Sequence, residues 1–139
     1  MTVLNAEELQ GIVKAAFPEW ALPHVESVDD ESLVLVLPVD KKNTRPGGTL
    51  SGPTMMALAD NAAWLVILAH IGPQLLAVTT SLHIDFLRKP EVADLVARAR
   101  ILKLGRRLAV VEVEVSSSGS KDIVAKAQVT YSIPPRTES

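Results

Sequence analysis

From Thr54 to Ile71 the chain carries a helical stretch with almost no polar side: Met55, Met56, Ala57, Leu58, Ala59, Ala62, Ala63, Trp64, Leu65, Val66, Ile67, Leu68 and Ala69. Pro53 suits the first helical position, where its missing N–H has no intrahelical partner to lose, and Gly72-Pro73 closes the segment. A helix apolar all round is enclosed by other structure rather than laid on a surface. The spacing predicts this central helix over residues about 53–71. With 139 residues the chain has the length of one domain, 1–139, so its own remaining segments must supply the enclosure.

Those segments switch from a period of 3.6 to a period of 2. Val78, Thr80, Leu82, Ile84 and Phe86 alternate with Thr79, Ser81, His83 and Asp85. Ala93, Leu95, Ala97, Ala99 and Ile101 alternate with Asp94, Arg98 and Arg100, with Val96 and Leu102 out of pattern. Gly105-Arg106 turns into Ala109, Val111, Val113 and Val115, and a second turn over 116–121 leads into Ile123 to Ile133. Such runs are half-buried antiparallel strands joined by hairpins. Upstream, His24–Val28 and Ser32–Val39 read as two more strands, and 40–50 as a loop. Asn5, Glu7 and Glu8 open a short amphipathic helix over about 5–17, stopped by Pro18. The expected class is α+β, with a curved antiparallel sheet wrapped around one helix.

Composition excludes several function classes. Forty-seven per cent of residues are hydrophobic, far too many for a disordered chain, and the net charge is −2, with no basic stripe to follow a nucleic acid. No cysteine is present and the three histidines are scattered, which leaves no expected metal site. The N-terminus lacks the basic start and apolar core of a signal peptide, and the most apolar stretch, Ala62 to Ala69, is well short of the ~20 residues that span a bilayer. The expectation is a cytoplasmic protein with no membrane or nucleic-acid partner.

Asp60 is the residue out of place, two turns into the enclosed helix. An unpaired buried carboxylate costs several kcal/mol, so it is neutralised, paired or functional. Structurally it would sit at a solvent edge or be tied to a Ser or Thr hydroxyl; functionally it would be a general base or nucleophile. Ser51-Gly52-Pro53 at the helix start offers backbone N–H groups at the positive end of the dipole, suited to a developing oxyanion, although such triplets also serve as plain caps. A mid-helix carboxylate and an oxyanion donor together suggest attack on an acyl carbonyl.

The stretch from Arg45 to Asp60 resembles the signature of hotdog-fold acyl-CoA thioesterases of the phenylacetate-pathway (PaaI-like) type: Asn-x-x-Gly-x-x-His-Gly-Gly, then seven residues ending in the catalytic Asp. A second family stretch, Thr-x-x-Leu-x-Ile-x-Phe-Leu-Arg-Pro, is matched by Thr79, Leu82, Ile84, Phe86, Leu87, Arg88 and Pro90. The resemblance implies a hotdog fold and a homodimer joined edge to edge, with pairing into a homotetramer left open. It implies that the Gly52 N–H polarises the thioester carbonyl and that Asp60 of the other subunit activates water or attacks directly. Thr79 and Ser51 would complete the catalytic set. Arg45, Asn43, Gly48, Met56, Asn61 and Trp64 would bind substrate, and Arg88, Lys89, Arg106 and Arg107 would meet the phosphates of coenzyme A. Coenzyme A would enter as part of the substrate, with no separate cofactor. The chain departs from the pattern where the family Asn falls on Arg45, the His on Ser51 and the last Gly on Pro53. The leading expectation is hydrolysis of medium-chain or aromatic acyl-CoA. A non-catalytic acyl-CoA-binding dimer is the alternative, and a hydratase is disfavoured because no His stands beside Asp60 in the motif.

Overall fold

A computed structural model describes residues 2–17, 22–38, 44–45, 49–90 and 93–135. The first helix, α1 (Ala6–Ala16), opens with a reciprocal cap: the Asn5 side chain accepts the Glu8 N–H at 2.8 Å, and the Glu8 carboxylate accepts the Asn5 N–H at 3.2 Å. Its apolar stripe buries Leu9 and Val13. Strands β1 (His24–Val28) and β2 (Ser32–Leu37) follow, their turn fastened by the Asp29 carboxylate, which accepts the N–H groups of Glu31 and Ser32 at 2.8 Å each. These bonds hold the Asp29 pKa below the usual carboxylate value. Within the segment read as loop, β3 (Thr44–Arg45) and β4 (Thr49–Leu50) form a two-residue ladder, too short to leave a period in the sequence.

The central helix, α2 (Gly52–Ile71), starts one residue earlier than expected. Ser51 caps it: its hydroxyl oxygen accepts the Thr54 N–H at 3.2 Å and shares a 2.8 Å hydrogen bond with the Thr54 hydroxyl. Gly72 ends it at φ 92°, a left-handed conformation that costs a residue without Cβ little. Then come β5 (Val78–Phe86), β6 (Leu95–Leu104), β7 (Leu108–Ser117) and β8 (Ile123–Ser132). The sheet is six-stranded and antiparallel, in the order β1-β2-β6-β7-β8-β5, and curves around α2.

The inner face of the sheet mixes large and small residues: Leu33, Leu35 and Leu95 beside Ala97, Ala99, Ala109, Ala125 and Ala127. The alanines make room for Leu65, Ile67 and Leu68, all fully buried. By length and composition alone α2 could cross a membrane, which the shorter Ala62–Ala69 stretch did not suggest. Here its apolar surface meets the chain's own sheet instead. The enclosure is incomplete, however. Pro53, Met56 and Ala57 are exposed and Asp60, Asn61 and Trp64 half-buried, so one stripe of the N-terminal half faces out beside the edge strand β5.

Leu102, out of pattern in the sequence, is the extra residue of a bulge: Ile101 faces Val111 and Lys103 faces Val110. A similar irregularity between Thr79 and Ser81 in β5 matters more.

Candidate active site

Strict alternation along β5 would place Thr79 with His83 and Asp85 on the outer face. The irregularity at Thr79–Ser81 reverses this. Leu82, Ile84 and Phe86 face Val129, Ala127 and Ala125 of β8 on the inner side, and Thr79 faces Tyr131, which is 4% exposed. Thr79 thereby joins the inner set, opposite α2. Its hydroxyl donates to Asp60 Oδ1 at 2.7 Å. The Tyr131 hydroxyl lies 2.8 Å from the same oxygen and 3.0 Å from the Asp60 main-chain carbonyl, and donates to them. Tyr131 is the residue that sequence reasoning missed, since it occupies an inward position of an alternating strand like any core aromatic. Burial, with the neighbouring Asp60 carboxylate, pushes its phenol pKa up against the pull of the Thr79 hydroxyl, so the group remains a protonated donor.

Among the described residues Asp60 Oδ2 accepts no hydrogen bond, and no buried side-chain oxygen or nitrogen lacks a partner. The free oxygen therefore reaches solvent, on the bare stripe of α2. Asp60 is paired to hydroxyls through one oxygen, as its structural reading expects, and open at the other.

Gly52 is the first residue of α2, and its N–H has no acceptor among the described residues. A Cβ built on it would meet Cζ of Phe86 at 3.2 Å, so the Phe86 ring lies directly against this glycine. Eight residues of helix separate Gly52 from Asp60, about 12 Å along the axis. One chain's donor and carboxylate therefore cannot reach a single carbonyl group.

The remaining expected residues fall in several places. Ser51 is engaged in the helix cap. Met56 and Trp64 flank Asp60 one turn either way, Met56 exposed and Trp64 packed partly against the core, with Asn61 half-buried beside them. Asn43 and Gly48 lie outside the described residues, and only the backbone of Arg45, in β3, is described. The four basic residues form two groups at opposite ends of β8. Arg88 and Lys89 follow β5, where Leu87 N–H donates to the Val124 carbonyl and Arg88 pairs with Asp122 at 3.4 Å. Arg106 and Arg107 lie by Ile133, whose N–H donates to the Arg107 carbonyl, on a cleft of about 780 Å³ that Asp60 does not line. Nine residues of strand, about 30 Å, separate the anchoring positions Val124 and Ile133. Among the described residues no group of three or more His, Asp or Glu could hold a metal ion.

A model of the thioesterase superfamily matches residues 47–124, a span holding Gly52, Asp60 and Thr79. The chain belongs to the thioesterase superfamily. At this level the reaction class is thioester hydrolysis. A crystal structure from Silicibacter sp. TM1040, named a "putative thioesterase", is 41% identical and superposes with a TM-score of 0.90, covering 97% of this chain and 95% of that one. A Pseudomonas aeruginosa protein named "putative esterase PA0474" is 31% identical over 103 residues, 73% of this chain and 75% of its own length. Thioesterase HI1161 of Haemophilus influenzae has a TM-score of 0.86 over 98% of this chain and 94% of its own at 19% identity, a likeness of fold.

Proposed function

We propose that this thioesterase hydrolyses acyl-CoA esters of medium-chain or aromatic acids, in sites each completed by a second copy of the chain. The observation that carries the reading is Asp60: one oxygen held by hydroxyl donors, the other open on a bare helix face.

The two edges of the sheet differ in a way that supports the second copy. The β1 edge is short, bulged and covered: Gln10 of α1 accepts the Val25 N–H at 2.6 Å and donates to the Pro23 carbonyl at 3.1 Å. The β5 edge is nine residues long, pairs among the described residues with β8 alone, and carries exposed Val78 and Phe86, with Leu87 just beyond. A long apolar edge of this kind invites another strand. Antiparallel pairing of two β5 strands sets the Phe86 end of one beside the Thr79 end of the other. Because Phe86 rests on Gly52 and Thr79 is bonded to Asp60, the same pairing brings Gly52 of one protomer toward Asp60 of its partner. It also brings Arg88 and Lys89 of one toward Arg106 and Arg107 of the other, which unites two basic groups that are far apart within one chain.

In such a site Asp60 Oδ2 takes a proton from water as the oxygen attacks the thioester carbon. The partner's Gly52 N–H holds the oxyanion, and the C–S bond then breaks as the thiolate of coenzyme A recovers the proton from Asp60. The same oxygen serves if the carboxylate attacks first and water then hydrolyses the anhydride. Ser51 caps the helix that presents Gly52, and Arg45, where the family pattern has Asn, selects among acyl groups. Arg45→Ala is expected to change the ranking of substrates more than the melting temperature.

Thiol release from a panel of acyl-CoAs tests the reading. Saturable release that is lost in Asp60→Asn supports hydrolysis at Asp60. Binding of the same esters without turnover by the wild type would replace the reading with that of a non-catalytic acyl-CoA-binding dimer, which the altered Arg45 and Ser51 positions motivate.

A further inference from the structure

We infer that Tyr131 is a positioning residue that, with Thr79, fixes Asp60 Oδ1 and so makes Oδ2 the reacting oxygen; the inference rests on the hydrolytic role proposed for Asp60. A carboxylate oxygen offers two lone-pair directions, and those of Oδ1 face two hydroxyls, at 2.7 and 2.8 Å. The Tyr131 hydroxyl is also 3.0 Å from the Asp60 carbonyl, so it ties the side chain to its own backbone and opposes rotation that would exchange the two oxygens. An inward-facing phenol without a partner would be a buried unsatisfied group, so Tyr131 and Asp60 each need the other.

The arrangement depends on the irregularity at Thr79–Ser81. With regular alternation Thr79 would point outward, and Tyr131 alone would hold the carboxylate. Both donors are neutral, which suits the task. A cation in their place would form an ion pair with the carboxylate, as Arg100 and Lys126 do with Glu112, whereas two hydroxyls orient it without one.

The test is steady-state kinetics with acyl-CoA on the dimeric protein for Tyr131→Phe, Thr79→Val and the double variant, with Asp60→Asn alongside. Each single variant is expected to lose about 10-fold in kcat with KM unchanged, the scale of one hydrogen bond to a charged group. The double variant should lose more than the product of the two, since either donor alone retains part of the orientation. A merely structural role would lower the melting temperature and leave kcat of the folded enzyme untouched. Wild-type kcat in Tyr131→Phe, with Asp60→Asn inactive, overturns the positioning role. Full activity in Asp60→Asn overturns instead the hydrolytic reading beneath it. If Tyr131→Phe does not fold, 3,5-difluorotyrosine at position 131 keeps the ring and alters only the hydroxyl's acidity. Lowered kcat at constant KM then supports the inference, and an unchanged kcat overturns it.

Discussion

Two carboxylates, Glu112 on β7 and Asp60 on α2, show how differently this fold can employ the same functional group. Glu112 lies on the outer face of the sheet between two cations: Arg100 Nη2 stands 2.7 Å from Oε2 and Lys126 Nζ 2.8 Å from Oε1. Both of its oxygens are taken, and the hydrogen bonds from Lys126 and Arg100 hold its pKa below the ordinary value. Asp60 has no cation beside it among the described ion pairs, two hydroxyl donors on one oxygen, and nothing on the other. Glu112 is finished within its own chain. Asp60 is oriented but left open, and the donor that would complete its chemistry is about 12 Å away in the same protomer. The saturated, cation-bound carboxylate is a fastening, and the reactivity proposed for Asp60 rests on its being half-saturated and held by neutral groups.

The largest expected effect sharpens this contrast. Asp60→Asn should lower kcat at least ~100-fold, the scale of removing a general base, with no loss of melting temperature. Glu112→Gln should leave kcat as it is; a comparable fall there would break the contrast. Next comes Gly52→Ala. Its new methyl group lies 3.2 Å from the Phe86 ring, which must shift by a few tenths of an ångström. Activity should drop by about 10-fold, because small displacements at a reacting geometry are costly. The same substitution in a Phe86→Leu background should cost less, and an equal cost in both would remove the ring from the explanation.

The smallest effect concerns acid stability. The folded state holds the Glu112 pKa below the ordinary carboxylate value, so the stabilisation is complete above that value. It disappears as the pH falls through the lower, folded-state pKa. Glu112→Gln should therefore melt below the wild type at neutral pH and converge with it in acid. The neutral-pH gap should be at most about 3 °C, since mostly exposed ion pairs contribute little to stability. A constant gap down to the lowest pH would mean that the ion pairs are not its source.

Much of the fold was legible because its signals are local and repeated. A helix apolar all round demands a wrapping sheet, and the period-2 runs over Val78–Phe86 and Ile123–Ile133 name its strands. Asp60, Gly52 and Thr79 were legible as chemistry out of place or as motif. What escaped were features set by pairing between strands. The irregularity that turns Thr79 inward depends on how β5 meets β8, which neither strand's sequence states alone. Tyr131 is 71 residues from Asp60 and sits in an ordinary alternating run, so nothing local marks it as a partner. The separation of Arg88 and Lys89 from Arg106 and Arg107 likewise follows from the length of β8 rather than from any motif.

The most direct test of the central claim, that Asp60 acts with the Gly52 of a second copy, is to mix two disabled chains. Gly52→Pro removes the N–H donor at a position where proline suits a helix start, and Ser51 at φ −79° and ψ 153° already has the extended backbone that precedes proline. Asp60→Asn removes the carboxylate. Alone, each should be inactive. Unfolded and refolded together at equal concentration, they form mixed dimers with one intact site of two, and acyl-CoA hydrolysis should return to about a quarter of the wild-type rate. Mixed dimers that form and remain inactive would contradict the account.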